Sequence, residues 1–295
     1  MSKMTQFVSR AKWLEIISNW NSLQGLHITD SGFPESEIMG IYAPIAQRLI
    51  KDHADTTGAE PGRKKPLIVG VTGSVAVGKS TVSSVLKDII ESSPIGLETQ
   101  VISTDNFLFP NSRLQKDQIL HRKGFPESFD YDNLIKFLSE VREGKSDFRI
   151  PVYSHETYDI ENDALECSIT NVLIIEGVNI LQDPPSREYQ NAHTIRDYID
   201  FSIFIEAGTA QIFQWYEKRF LEYCANAETD NDSFFFQFKD LSLKGRKALA
   251  SQIWESVNNP NLVKHINPSK KYADLVINKD HNHSISSMSI PSFWL

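Results

Sequence analysis

Leu67-Ile68-Val69-Gly70-Val71, followed by Gly73-Ser74-Val75-Ala76-Val77-Gly78-Lys79-Ser80-Thr81, is the stretch that decides how this chain folds. The first run is apolar and largely β-branched, as expected of a strand buried on both faces of a parallel sheet. The second fits G-x-x-x-x-G-K-[ST], a loop whose backbone N–H groups converge on a phosphate only where glycines tolerate the required dihedrals. From Thr81 to Ser92, Val82, Val85, Leu86, Ile89 and Ile90 recur at helical spacing. A helix starting at such a loop turns its positive end toward the anion. Strand, loop and helix together open a βαβ unit.

Working outward, short apolar runs recur at Val101-Ile102, Val172–Ile175, Phe201–Ile205 and Leu275–Ile277, with helical stretches between them. That alternation predicts an α/β fold: a P-loop NTPase-type doubly wound, mainly parallel sheet flanked by helices. No repeat or clear linker divides the chain, so one domain is expected over residues 1–295. It comprises a helical N-terminal extension (1–65), a nucleotide-binding core (66–209), a helical lid and acceptor region (210–260), and a final strand and tail (261–295). In the extension, Ile38, Ile41, Tyr42, Ile45, Leu49 and Ile50 share helical spacing, with Pro44 expected to kink or break the helix. Thr56–Lys65, rich in Gly, Pro and charge, reads as a loop.

Composition narrows the function. The 295 residues are 40% hydrophobic and 23% charged, which excludes a disordered, collagen-like or coiled-coil chain. With 30 Lys+Arg against 38 Asp+Glu, a net charge of -8 and no long basic run, nucleic acid is not an expected partner. Cys167 and Cys224 form neither a disulfide framework nor a metal-ligand spacing, and are expected to be free thiols. The N-terminus lacks an apolar signal core and no apolar run is long enough to span a bilayer, so the expectation is a cytoplasmic protein with no membrane partner.

The loop Gly73–Thr81 is expected to hold a nucleoside triphosphate, with Lys79 at the β- and γ-phosphates and the Ser80 hydroxyl on Mg²⁺. Guanine specificity is not expected: the nearest string to NKxD, Asn278-Lys279-Asp280, lacks the intervening residue and lies after the last expected strand. A small-molecule kinase needs a base for the acceptor hydroxyl and positive groups around the transferring phosphoryl. Asp105, just beyond Val101-Ile102, falls at the carboxyl edge of the sheet where ligands bind, although a turn or helix-cap aspartate would look the same. Glu176, ending an apolar strand, suits the Mg²⁺ shell; its plain alternative is a turn residue before Gly177. Arg219 shares a helical face with Tyr216 and Tyr223 and suits a lid; its plain alternative is a solvated arginine paired with Glu217 or Glu222. Phe234-Phe235-Phe236 and Phe238 are core packing or the apolar wall of a substrate pocket.

Taken together, the motifs resemble bacterial type I pantothenate kinases. GSVAVGKST at Gly73–Thr81, STDNFLFPN at Ser103–Asn111, RKGFPESFD at Arg122–Asp130, PVYSHETYD at Pro151–Asp159, IIEGVNILQ at Ile174–Gln182 and WYEKRFLEY at Trp215–Tyr223 carry the likeness, in order, over nearly the whole chain. The resemblance implies a Mg²⁺-dependent enzyme that uses ATP to phosphorylate the terminal hydroxyl of pantothenate, giving 4′-phosphopantothenate and opening coenzyme A biosynthesis. It implies a homodimer, with coenzyme A as a feedback inhibitor. By the same resemblance Asp105 is the general base and Arg219 the phosphate-stabilising arginine. Tyr153, His155, Tyr216 and Asn258 hydrogen-bond pantothenate, and Lys123 belongs to the acceptor pocket. Tyr158, Tyr223 and Phe235 line its far end, and His283 packs against adenine. Two departures stand out: Ser84 replaces an arginine, and Tyr223 a phenylalanine, of the inhibitor site, so altered feedback inhibition is expected. The alternatives are a related P-loop kinase acting on uridine or a sugar phosphate, and a nucleotide-sensing protein without catalysis.

Overall fold

The computed structural model describes residues 5–18, 20, 34–57, 65–184 and 193–295. Most of the expected loop Thr56–Lys65 lies outside the described residues. All five apolar runs are strands, and they make the parallel heart of the sheet: β2 (Leu67–Gly73), β3 (Thr99–Ser103), β6 (Val172–Gly177), β7 (Phe201–Glu206) and β8 (Leu275–Lys279). Every residue of β2 and of β6 is buried, which is why these runs show no polar alternation. The Lys79–Glu91 helix starts directly at the loop and buries Val82, Val85, Leu86, Ile89 and Ile90.

Three further stretches depart from the expected pattern. Thr5–Ser9, read as part of a helical extension, is a strand, β1. The tail is not featureless: Ile285–Pro291 forms β9, so Leu275–Lys279 is not the last strand. Asp147–Ser154 (β4) and Asp159–Ser168 (β5) form a separate antiparallel hairpin between elements of the α/β core. Pro44 does mark a change in the helix around it, since Ile38–Tyr42 is π-helical and Ala43–Thr57 is α-helical.

The seven-stranded sheet has the order β1-β9-β8-β7-β2-β6-β3. From β3 to β8 neighbours are parallel, while β9 runs antiparallel to β8, and β1 to β9. The strand feeding the loop is therefore central, with β6 and β3 on one side and β7 and β8 on the other. The crevice at the carboxyl ends of such strands is where an open α/β sheet binds ligands. At the edge of the sheet opposite β3, β1 and β9 bring the first and last strands of the described chain together. Trp13 and Trp294 are buried there with ring centroids 6.2 Å apart, and Trp294 stacks on Phe201 at 5.3 Å.

Candidate active site

The loop from Gly73 to Thr81 joins β2 to the Lys79–Glu91 helix through two left-handed positions, Ala76 (φ 60°) and Gly78 (φ 86°). Gly73 admits no side chain: at φ 144° a Cβ would lie 2.4 Å from the Ile205 carbonyl of β7. The Lys79 ammonium donates to the Ser74 carbonyl at 3.0 Å, across the loop. Burial lowers its pKa, the Glu176 and Asp105 carboxylates oppose that shift, and Arg219 adds to it. The Ser74 and Thr72 hydroxyls are buried with no hydrogen-bond partner, an opening for a ligand at the mouth of β2.

Glu176 is buried near the end of β6, and its Oε1 accepts from the Ser80 hydroxyl at 2.9 Å. Burial raises its pKa, opposed by Lys79. This pair offers hard oxygen ligands beside the phosphate loop. Among the described residues no group of three or more His, Cys, Asp or Glu could hold a metal ion. A pair of hard oxygens is enough for a divalent cation such as Mg²⁺, which takes one or two protein oxygens and completes its shell with phosphates and water.

Asp105 follows β3 in a single 3₁₀ turn, Thr104–Phe107, whose cap is the Ser103 hydroxyl accepting from the Asp105 N–H at 3.2 Å. Its carboxylate is within electrostatic reach of Lys79, Lys123, Tyr153, His155, Tyr158 and Glu176. It thus stands between the loop and an aromatic pocket. Arg219, on the Thr209–Asn226 helix, acts electrostatically on Lys79, His155, Tyr158 and Tyr216. It does not pair with its helical neighbours: Glu222 lies 3.8 Å from Lys218 and Glu217 lies 3.3 Å from Lys247.

The pocket wall comes from three segments. The β4–β5 hairpin supplies Tyr153, His155 and Tyr158, the Thr209–Asn226 helix supplies Tyr216 and Tyr223, and the turn Phe234–Phe238 supplies Phe235. Tyr223 stacks on Phe235 at 4.9 Å and on His155 at 6.3 Å, while Tyr153 meets His155 edge-on at 5.2 Å. Phe235 also belongs to a small core with Phe220, Cys224, Ala227 and Ala250, so the phenylalanine run serves both core and wall. Both cysteines are free. The Lys123 ammonium lies over the rings of Tyr153 (5.0 Å) and Tyr158 (4.4 Å) and donates to the Tyr158 carbonyl and Asn111 Oδ1 at 2.6 and 2.7 Å. Burial brings its pKa down to about 8. Burial likewise raises the Tyr153, Tyr158 and Tyr216 hydroxyls and lowers His155. Asn258 acts on the Tyr216 hydroxyl in the opposite sense, lowering its pKa. His283 stands apart, stacked on Trp215 at 3.8 Å.

Some residues that hold the site together were missed from the sequence. Asn106 Oδ1 accepts from the Tyr153 N–H at 3.0 Å, tying the hairpin to the residue beside Asp105. The Asn111 N–H donates to Asp159 Oδ1 at 2.8 Å, and its amide donates to the Tyr158 carbonyl at 2.9 Å. Thr104, fully buried, donates to Asn179 Oδ1 at 2.7 Å and joins the ends of β3 and β6. Thr104, Asn106 and Asn111 lie inside the string quoted for Asp105; short polar side chains flanking a candidate base are the signal that could have found them.

Residues 68–218 match the phosphoribulokinase / uridine kinase family. The pantothenate kinase of Bacillus subtilis (strain 168) is 41% identical over 267 residues, 86% of this chain and 84% of that protein. The pantothenate kinase of Streptococcus pneumoniae (strain P1031) is 36% identical over 280 residues, covering 93% and 89%. Among solved structures, the D-glycerate 3-kinase of Cryptococcus neoformans is 15% identical with a TM-score of 0.57, over 85% of this chain and 99% of that one, a likeness of fold.

Proposed function

The chain belongs to the pantothenate kinases, within the phosphoribulokinase / uridine kinase family, and from that membership we propose that it transfers the γ-phosphoryl group of ATP to the terminal hydroxyl of pantothenate, giving 4′-phosphopantothenate, the first step toward coenzyme A. The observation that carries this reading is the convergence of Lys79, Glu176, Asp105 and Arg219 on one end of the sheet, with a cluster of aromatic side chains beside Asp105. A sugar phosphate would need several cations dedicated to it there; of the three that act electrostatically on His155, Arg219, Lys79 and Lys123, Lys79 belongs to the phosphate loop and Arg219 to the transferring group.

In this reading the Gly73–Thr81 loop cradles the phosphates, with Lys79 on the β- and γ-groups. Ser80 and Glu176 hold Mg²⁺, which neutralises charge on the phosphates when bound. Asp105 accepts the proton of the attacking hydroxyl, and Arg219 stabilises the charge spread over the transferring group. Tyr153, His155, Tyr216 and Asn258 orient pantothenate through hydrogen bonds, Lys123 supplies a positive charge, and Tyr158, Tyr223 and Phe235 wall the far end. His283, with Trp215, forms the adenine side. Ser84 is exposed on the Lys79–Glu91 helix, and with no arginine there coenzyme A inhibits weakly. The family resemblance supports a homodimer of single kinase domains, and light scattering should then return twice the 33.5 kDa of the chain; a cytoplasmic location completes the reading. No helix among the described residues is long and apolar enough to cross a membrane.

A coupled ATP-consumption assay offering pantothenate, uridine and ribulose 5-phosphate tests the reading. Pantothenate alone should turn over, Asp105→Asn should lower kcat by ~10²–10⁴, and added coenzyme A should compete only weakly with ATP. Turnover with uridine or the sugar phosphate alone overturns the substrate; full activity of Asp105→Asn overturns the base; tight competition by coenzyme A overturns the weak inhibition.

A further inference from the structure

Lys279 belongs to Asn278-Lys279-Asp280, the string that falls short of a guanine motif, and the proposed phosphoryl transfer gives it no part. It is nonetheless one of two lysines buried in the described structure, 6% exposed at the end of β8. The register against β9 shifts beside it, from Asn278 opposite Ser287 to Lys279 opposite Ile285, which leaves Ser286 of β9 as the extra residue of a β-bulge facing Lys279. The Lys279 ammonium donates to the Val77 carbonyl of the phosphate loop at 2.9 Å. It also lies 3.0 Å from where a Cβ on Gly78 would stand, so the ammonium fills the space behind the loop that a larger residue at 78 would need.

The peptide joining Val77 to Gly78 is planar and trans, so its C=O and N–H point in opposite directions. Drawing the Val77 carbonyl toward Lys279 turns the Gly78 N–H toward the opposite side, the concave face of the loop. Glu37, buried just before the π-helical turn Ile38–Tyr42, reaches the ammonium electrostatically and is itself paired with Arg10, which also donates to the Ile285 carbonyl at 3.0 Å. Burial moves the Lys279 pKa down to about 8 and Glu37 opposes the shift, keeping the charged form populated near neutrality. Other titratable groups in this neighbourhood are Tyr42 beside Glu37, and His283 on the following turn with Asp280 and Lys218 acting on it.

We propose that Lys279 is a positioning residue for the nucleotide: from behind the phosphate loop its ammonium fixes the Val77–Gly78 peptide with the N–H facing the phosphates, and Glu37 links this support to the N-terminal segment. The inference rests on the loop holding ATP. Lys279 touches no substrate, and it acts through the loop backbone.

The test measures Mg-ATP affinity by calorimetry and both KM values in steady state for Lys279→Met and Glu37→Gln, with Lys79→Ala as the control on the loop itself. A hydrogen bond from a charged group contributes ~1.5–3 kcal/mol, so Lys279→Met should weaken ATP binding by about tenfold or more. KM for pantothenate should stay within about twofold, because the acceptor pocket is unaltered. Glu37→Gln leaves the lysine in place and should raise KM for ATP by a few-fold; it decides the matter if Lys279→Met does not fold. Unchanged ATP affinity in either folded variant, or equal weakening for both substrates, overturns the role of Lys279. Failure of the unmutated protein to bind Mg-ATP, or Lys79→Ala binding it as well, overturns the phosphate-loop reading instead.

Discussion

Lys123 shows how one side chain can carry two jobs. Its ammonium spans the gap between the RKGFP segment and the hairpin tip, pinning the carbonyl of Tyr158, a residue held at φ 54°. It also brings positive charge into a pocket otherwise walled by rings. Because burial brings its pKa down to about 8, that charge is lost as pH rises through 8. Hence kcat/KM for pantothenate should fall above about pH 8, and Lys123→Met should be less active and lack that limb; an unchanged limb in the variant would assign it elsewhere. The stability consequence has the opposite sign. The folded value lies below the ordinary lysine value of 10.5, so between 8 and 10.5 the unfolded chain binds more protons, and this group's contribution to stability increases with pH across that window. Arg219 teaches a different lesson at the same scale. Spacing on one helix allowed pairing with Glu217 or Glu222, but lysines outside that face took both carboxylates and left the guanidinium to the site.

At the scale of elements, β2, the loop and the following helix are a unit whose parts explain one another. The strand is apolar because both faces are covered, and Gly73 is required because β7 runs 2.4 Å from where its side chain would begin. Gly73→Ala should therefore destabilise the protein by ~1–3 kcal/mol through strain and overpacking, and weaken ATP binding at the same time; thermal melting and calorimetry on the variant check both, and a normal melting temperature with normal ATP affinity would contradict the packing argument. The β4–β5 hairpin is the contrasting case. Its β4 strand begins with period 2, burying Phe148 and Ile150 in the main core between exposed Asp147 and Arg149, but β5 has no buried residue and so no apolar alternation. The sequence signal is therefore confined to one half of one strand, and the stretch that carries Tyr153, His155 and Tyr158 lies beyond it. Likewise Thr5–Ser9 is a strand only because β9 lies beside it, residue for residue from Thr5 opposite Pro291 to Ser9 opposite Ser287.

For the molecule as a whole, the site is assembled from segments some two hundred residues apart, brought to one edge by the sheet order. The sequence by itself determined the strand–loop–helix unit, the alternation that makes a parallel sheet, and the residue types at the loop, at Asp105, at Glu176 and in the aromatic wall. Those are local matters: periodicity, glycine dihedrals and the placement of polar residues just past apolar runs act over a few neighbours. Only the tertiary structure decided that Ser80 meets Glu176, that Asn106 holds Tyr153, that the tail becomes β9, and that Lys279 reaches the phosphate loop. Each of these depends on the register of strands far apart in the chain. A one-residue slip would aim every such side chain at the opposite face, and no local pattern encodes that choice.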